Sequence, residues 1–215
     1  MTKYQNPREE IHSLIEKEQI NSLLSQAAKL HGHVCPFLTL GVRSGVRAAK
    51  TLDLVNKGME NILAIVETNN CFSDGIQYVT GCTFGNNSLI YRDYGKTAFT
   101  LLRRGTEGLR IIVRPEFRKY MNESFPEYSK LFDKVVAERD GDQKDYAKLM
   151  EHSSRVSQEI IDIPFDEIFK IEKSHPEIPD YAPILESQQC EKCDENVMAS
   201  RIVEKDNEVL CIPCS

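Results

Sequence analysis

Four cysteines near the carboxyl-terminal end constrain the fold of this chain more than any other feature. They form two Cys-x-x-Cys pairs, Cys190 with Cys193 and Cys211 with Cys214, and seventeen residues separate the pairs. This spacing is typical of a zinc site in which each pair supplies two sulfurs to a tetrahedral ion. The 26 residues from the first of these cysteines onward bury too little apolar surface to fold alone. The metal must therefore contribute most of the folding free energy of this tail.

The predicted role of the tail is structural. All four ligands come from the protein, which leaves no coordination position for a substrate. Residues 198–210 predict a hairpin between the two pairs, as in a zinc ribbon. Two redox-active Cys-x-x-Cys pairs and a rubredoxin-like iron site are the alternatives.

Three prolines mark a boundary before the tail. They stand at positions 176, 179 and 183 of the segment SHPEIPDYAPILES, where they exclude a helix and predict an extended linker. We therefore expect a core domain at 1–173, a linker at 174–187 and a zinc finger at 188–215.

A second motif, HGHVCP, begins at His31 and is dense in groups that bind metals or attack electrophiles. Alternate residues of an extended backbone point the same way, so His31, His33 and Cys35 can share one side. Pro36 suits the first turn of a helix, which makes Cys35 its N-cap, where free N–H groups and the helix dipole favour a thiolate. An inert buried cysteine beside ordinary histidines is the alternative interpretation.

Cys71 and Cys82 bracket a short predicted helix over 76–80. A buried strand is predicted just before them, from the apolar and β-branched run NILAIVET over 61–68. Reacting groups are common at junctions between a strand and a helix. We therefore predict that Cys71 joins the core site, with Asp74 nearby, and the sequence leaves open whether Cys82 does.

The remaining pattern predicts an α+β core, with helices flanking a sheet. Gly41, Gly45 and Ala48 share one surface of the helix after Pro36, which indicates close packing against another backbone. Arg43 lies on the opposite, basic face, predicted to be solvated. Three strands in succession are expected to pair antiparallel. The predicted helices are 8–30, 37–54, 126–139 and 143–160, and the predicted strands after the first are 88–94, 97–102, 108–113 and 166–173.

Composition narrows the class of protein. The chain has 215 residues, a formal charge of -6 and a pI near 5.5, which argues against a surface built to bind nucleic acid. It contains no apolar run of about 20 residues and no apolar signal core, so we expect a cytoplasmic protein away from membranes. Seven cysteines without signs of export favour thiols and metal over disulfides.

Two long segments resemble the FmdE family, which is named for formylmethanofuran dehydrogenase: LHGHVCPFLTLGVRSG and AIVETNNCFSDGIQYVTGCTFGNNSLIYRDYGKTAF. The resemblance implies an α+β core with a treble-clef-like zinc finger, a homodimer, and a link to the tungsten or molybdenum enzyme that fixes carbon dioxide onto methanofuran in methanogenesis. Phe37 stands where the family usually has glycine, and it could narrow access to the site. The family motifs fall on His31, Gly32, His33, Cys35 and Pro36, and on Cys71, Asp74, Gln77, Thr80, Gly81, Cys82 and Gly85.

The leading hypothesis is a metalloprotein whose core binds one transition metal, zinc, through Cys35 with His31 or His33 and with Cys71. Fewer than four protein ligands would leave a position for water, whose pKa would fall to about 7, with Asp74 as the candidate base. Without metal, Cys35 would be a nucleophile and His33 its base.

Two other classes of function remain open. One is an accessory protein without turnover, which binds a pterin, a metal or a formylmethanofuran dehydrogenase-type complex. The absence of any phosphate-binding glycine motif weakens a nucleotide-dependent redox enzyme. The other is a zinc-finger regulator that binds nucleic acid, which the acidic composition disfavours.

Overall fold

A computed structural model describes residues 6–215, which divide into two compact units with the boundary between Glu177 and Ile178. The limits predicted for the linker, 174 and 187, stay a prediction. None of the helices in this described range is both long and apolar enough to cross a membrane.

The first unit is an α+β domain, as the sequence predicts. A π-helical turn at Asp133–Ala137 follows its sixth helix. Its strands are β1 (Ile62–Val66), β2 (Leu89–Tyr91), β3 (Ala98–Arg103), β4 (Gly108–Val113) and β5 (Phe169–Ser174). Its helices are α1 (Glu9–Glu16), α2 (Ile20–His31), α3 (Pro36–Thr51), α4 (Cys71–Thr80), α5 (Pro115–Ser124), α6 (Pro126–Phe132), α7 (Gln143–Asp162) and α8 (Phe165–Ile168).

The five strands form one mixed sheet in the order β2-β1-β3-β4-β5. The antiparallel pairing predicted for β3 and β4 is confirmed, with Phe99 opposite Ile111. The prediction is wrong for β2, which pairs parallel with β1, Ala64 opposite Leu89. The reason is that α4 lies between these two strands in the chain and carries it back across the sheet, as a parallel pair requires. All five residues of β1 are buried, which explains its uninterrupted apolar sequence.

The helix predicted over 8–30 is two helices. Glu18 lies between them with φ of +51°, a left-handed conformation that ends α1. Lys50 donates to the carbonyl oxygen of Glu16 at 3.2 Å and to the Glu18 carboxylate at 2.7 Å. No glycine or proline marks this break, because the partner that satisfies it comes from α3.

Arg43 corrects another prediction, since it is buried rather than solvated. It is 9% exposed, and it donates to the carbonyl oxygens of Ile160 and Ile163, at 2.6 Å each. These carbonyls close the end of α7, where backbone acceptors have no helical partner. The guanidinium therefore ties α3 to α7.

The second unit contains two small antiparallel sheets, β6 with β7 and β8 with β9. Its buried cluster consists of Cys190, Leu210 and Cys211, so this unit has almost no apolar core. The predicted hairpin is confirmed in β8 and β9. Its strands are β6 (Ser187–Gln189), β7 (Asn196–Met198), β8 (Ile202–Lys205) and β9 (Glu208–Cys211).

Candidate metal centre

Four side chains of the first unit meet at one point: His31, His33, Cys35 and Cys71. One ligand atom from each lies within 4.8 Å of the other three. Cys82 lies outside this group, buried against Asn56 and the carbonyl oxygen of Ile62. The structure therefore brings together the three residues of the HGHVCP motif and the cysteine that follows β1.

Two helices begin at this cluster. Cys35 is the N-cap of α3, and its sulfur accepts from the Leu38 N–H at 3.5 Å. Cys71 is the first residue of α4, whose N-cap, Asn70, accepts from the Phe72 N–H at 3.0 Å. Helix N-termini stabilise negative charge, so both sulfurs lie where thiolates are favoured. The predicted start of α4 at residue 76 is five residues too late, and Asn70 is the capping signal that marks the true start.

Glycines allow α3 and α4 to cross closely enough for this convergence. A Cβ atom on Gly41 would lie 2.2 Å from the carbonyl oxygen of Phe72, and one on Gly75 would lie 2.7 Å from that of Leu38. The predicted close backbone contact of the α3 glycines is confirmed at Gly41. Backbone against backbone therefore sets the separation between the two helix starts.

Asp74 orients one of the histidines. Its carboxylate lies 2.7 Å from Nδ1 of His31, while the Nε2 atom of the same ring is buried and has no hydrogen-bond partner among residues 6–215. A buried polar nitrogen without a partner is destabilising, and a metal ion is the usual partner of a histidine whose other nitrogen is held by a carboxylate. The donor set fits a metal ion on this observation. The predicted role of Asp74 as a general base stays a prediction.

The two core thiols share a proton. Hydrogen bonding from Cys35 lowers the pKa of Cys71 to about 6, and the nearby His31 imidazole lowers it further. The same hydrogen bond, together with burial, raises the pKa of Cys35. The pair therefore carries one thiolate near neutral pH, and it forms on Cys71 rather than on Cys35, where the capping argument alone places it.

His33 is the least restrained of the four. Burial and the neighbouring His31 lower its pKa, which favours the neutral, metal-binding imidazole. The two rings lie 4.4 Å apart, centroid to centroid. The described part of the chain gives the His33 side chain no hydrogen bond, in contrast to His31.

The tail cysteines form the second cluster. The sulfurs of Cys190, Cys193, Cys211 and Cys214 also lie within 4.8 Å of one another. The backbone N–H of Cys211 donates to the Cys190 sulfur at 3.3 Å and lowers the pKa of Cys190 to about 6. The predicted four-thiolate geometry is present, and with its two hairpins the unit is consistent with a zinc ribbon.

Comparison with known proteins supplies the family context. The sequence profile described as "FmdE, Molybdenum formylmethanofuran dehydrogenase operon" matches residues 30–170. A protein of Archaeoglobus fulgidus named "Probable S-adenosyl-L-methionine-binding protein" is 43% identical over 205 residues, which cover 93% of this chain and 54% of that protein. The chain thus spans about half the length of this relative.

A solved structure supports the fold. The crystal structure of an FmdE-like protein of a tungsten formylmethanofuran dehydrogenase, from Syntrophus aciditrophicus, matches with a TM-score of 0.57. The match covers 90% of each chain at 21% sequence identity. The likeness therefore extends across most of both chains at the level of architecture.

Proposed function

The chain belongs to the FmdE family, and from this premise we propose that its first unit binds one zinc ion at a reactive centre made by His31, His33, Cys35 and Cys71. The observation that carries the proposal is the convergence of these four ligand atoms at two helix N-termini. Thiolate and imidazole together suit zinc.

Charge supports this assignment. Two thiolates would balance a divalent ion, and the starts of α3 and α4 favour both of them. Cys71 is already the more acidic thiol, so only the Cys35 proton must leave when the ion binds near neutral pH. The two imidazoles add no charge as long as both are neutral.

Reactivity depends on how firmly each ligand is held. Four protein ligands saturate a tetrahedral ion, so a substrate needs one of them to move. Asp74 fixes His31, and the helix starts fix both sulfurs, whereas His33 lacks such a restraint. We therefore assign His33 as the exchangeable ligand, whose neutral ring can accept a proton when it moves away, and Asp74 as a positioning residue. A bound zinc ion would supply Lewis acidity toward a substrate oxygen or sulfur.

The tail is assigned a structural zinc ion, at Cys190, Cys193, Cys211 and Cys214. With it we propose the division into a core domain at 1–173, a linker at 174–187 and a zinc finger at 188–215. The metal would hold together a unit whose buried cluster is two cysteines and one leucine.

The family match favours a second candidate function. The family is described by the operon of a formylmethanofuran dehydrogenase, and a chain of this kind could serve that enzyme complex as a homodimeric accessory protein in methanogenesis. The metal centre would then bind or transfer an ion without turnover. Loss of metal with unchanged binding to the complex, in a Cys71→Ser variant, would separate metal chemistry from assembly.

Elemental mass spectrometry on the full chain tests the zinc assignments. We expect two zinc ions per chain in the wild type and one in Cys71→Ser. The matched control is Cys82→Ser, which replaces a buried cysteine outside the cluster and should keep both ions. A Cys71→Ser protein that retains as much metal as the wild type would contradict the core site.

A further inference from the structure

A cavity of about 610 Å³ adjoins the start of α3, and Pro36, Phe37 and Tyr128 contribute to its wall. We propose that this cavity binds the substrate of the core metal centre, and that the substrate is a small molecule with an apolar body and an anionic group. The proposal rests on the proposed function, because it names the substrate class of that centre. The volume is within the range of cavities that bind small molecules, about 300–1,000 Å³.

Two residues connect the cavity to the cluster. Pro36 follows Cys35 directly in the chain. Tyr128 is 6% exposed, and burial raises the pKa of its phenol, while charge on Cys35 and Cys71 raises it further. The phenol therefore lies within electrostatic reach of both sulfurs. Its hydroxyl makes no hydrogen bond to the rest of residues 6–215, so it is available to a ligand between the cavity and the metal centre.

The interior of the cavity is mainly apolar. Aromatic and aliphatic side chains from α3, β4 and the helices of the 115–132 region contribute to it. Phe37 belongs to this wall, so the residue that departs from the family pattern shapes the binding space. The apolar lining includes Phe37, Leu40, Ile112, Phe117, Met121 and Phe132.

Three cations line the same cavity: Lys96, Arg114 and Arg118, against one carboxylate, Asp133. None of the three cations forms an ion pair with any residue the structure describes. Arg114 is held in place because its Nε donates to the carbonyl oxygen of Asp166 at 2.8 Å. Uncompensated cations beside an apolar space, in a chain of net charge -6, are complementary to an anionic group on an apolar body.

Fluorescence titration of the full chain with anilinonaphthalene sulfonate tests the charge requirement, with phenylnaphthylamine as the neutral probe of similar shape. We expect the sulfonate to bind more tightly than the amine, and Arg118→Ala to weaken the sulfonate about tenfold, the effect of one charged hydrogen bond. The matched control is Lys119→Ala, because this neighbouring lysine pairs with Glu123 outside the cavity and its loss should change nothing. Equal affinity for both probes, or equal effects of the two variants, would overturn the proposal.

Paramagnetic broadening places the bound probe. In protein loaded with cobalt, the proton resonances of the sulfonate should broaden, and they should sharpen in Cys71→Ser, which keeps only the tail metal. Sharp resonances in wild type that carries two metals would show that the probe binds away from the centre and would refute the proposal. A wild type with one metal, held by the tail, would instead refute the proposed function, whereas Arg118-dependent binding of the sulfonate would still report the cavity.

Discussion

The core and tail clusters each gather four ligand atoms within the same span, 4.8 Å, yet they are supported in opposite ways. The tail offers four cysteines in a unit with almost no buried apolar residues. The core offers two histidines and two cysteines inside a domain whose large apolar side chains, such as Phe72 and Phe99, are fully buried. The comparison teaches that the number of ligands does not reveal the role of a metal, because the surrounding fold decides whether the ion is needed for folding. We infer that the tail depends on its metal for structure and that the core would keep its fold without one.

Metal removal should give the largest difference between the two clusters. Structural zinc contributes about 10–16 kcal/mol to isolated zinc fingers, so a strong chelator should unfold residues 188–215 and leave the core folded. Amide hydrogen exchange read by mass spectrometry would report both regions in one sample. Loss of protection in β1 and β3 as well as in the tail would break the distinction.

Gly41→Ala should disturb the core without touching the tail. The added methyl would lie 2.2 Å from the Phe72 carbonyl oxygen, and such overpacking costs about 3 kcal/mol, against about 1 kcal/mol gained in helix propensity. The net loss should lower Tm by about 4–8 °C. Gly85→Ala is the control, because no atom lies within 4 Å of the position of its Cβ, and an equal fall in Tm there would refute the packing argument.

Asp74→Asn should weaken the core metal about 10–100-fold, as is usual when the partner of a ligating histidine is changed. The reason is that the amide holds the His31 ring less firmly than the carboxylate does at 2.7 Å. Competition with a chromophoric chelator would measure both sites, and the tail affinity is the internal reference. Unchanged core affinity with altered turnover would assign Asp74 to general-base chemistry instead.

The smallest expected effect is the pH dependence of Cys71 in metal-free protein. Because the pKa of Cys71 is lowered to about 6, its thiolate should persist above that pH and be lost as the pH falls through it. Alkylation mapped by mass spectrometry should show Cys71 reacting with a midpoint near pH 6. Cys82 should stay unreactive at neutral pH, since burial raises its pKa to about 11. A midpoint for Cys71 near that of an ordinary thiol would remove the argument for a shared proton.

Local sequence patterns predicted the ligands better than their partners. The alternation of His31, His33 and Cys35 and the strand before Cys71 are features of neighbouring residues, so short-range reasoning found them. The Asp74 contact with His31 spans 43 residues, and no local periodicity reveals it. Tyr128 was missed for the same reason, since it lies in a segment whose charge pattern indicates an outer helix.

Fold errors have the same physical origin. Arg43 was placed in solvent because its helix face is basic, but its acceptors lie 117 and 120 residues away in the chain. The parallel pairing of β2 depends on where α4 returns the chain. Both are long-range contacts, which a helical or strand period does not encode.

The glycine contact between α3 and α4 has a consequence for the rate of metal exchange. Since backbone atoms meet directly there, no side-chain rotation can widen the gap between the starts of the two helices. A site held in this way keeps its shape when the ion leaves, so the next ion meets ligands that are already arranged. Exchange at the core should then be limited by proton transfer at the ligands, whereas exchange at the tail must wait for the chain to refold.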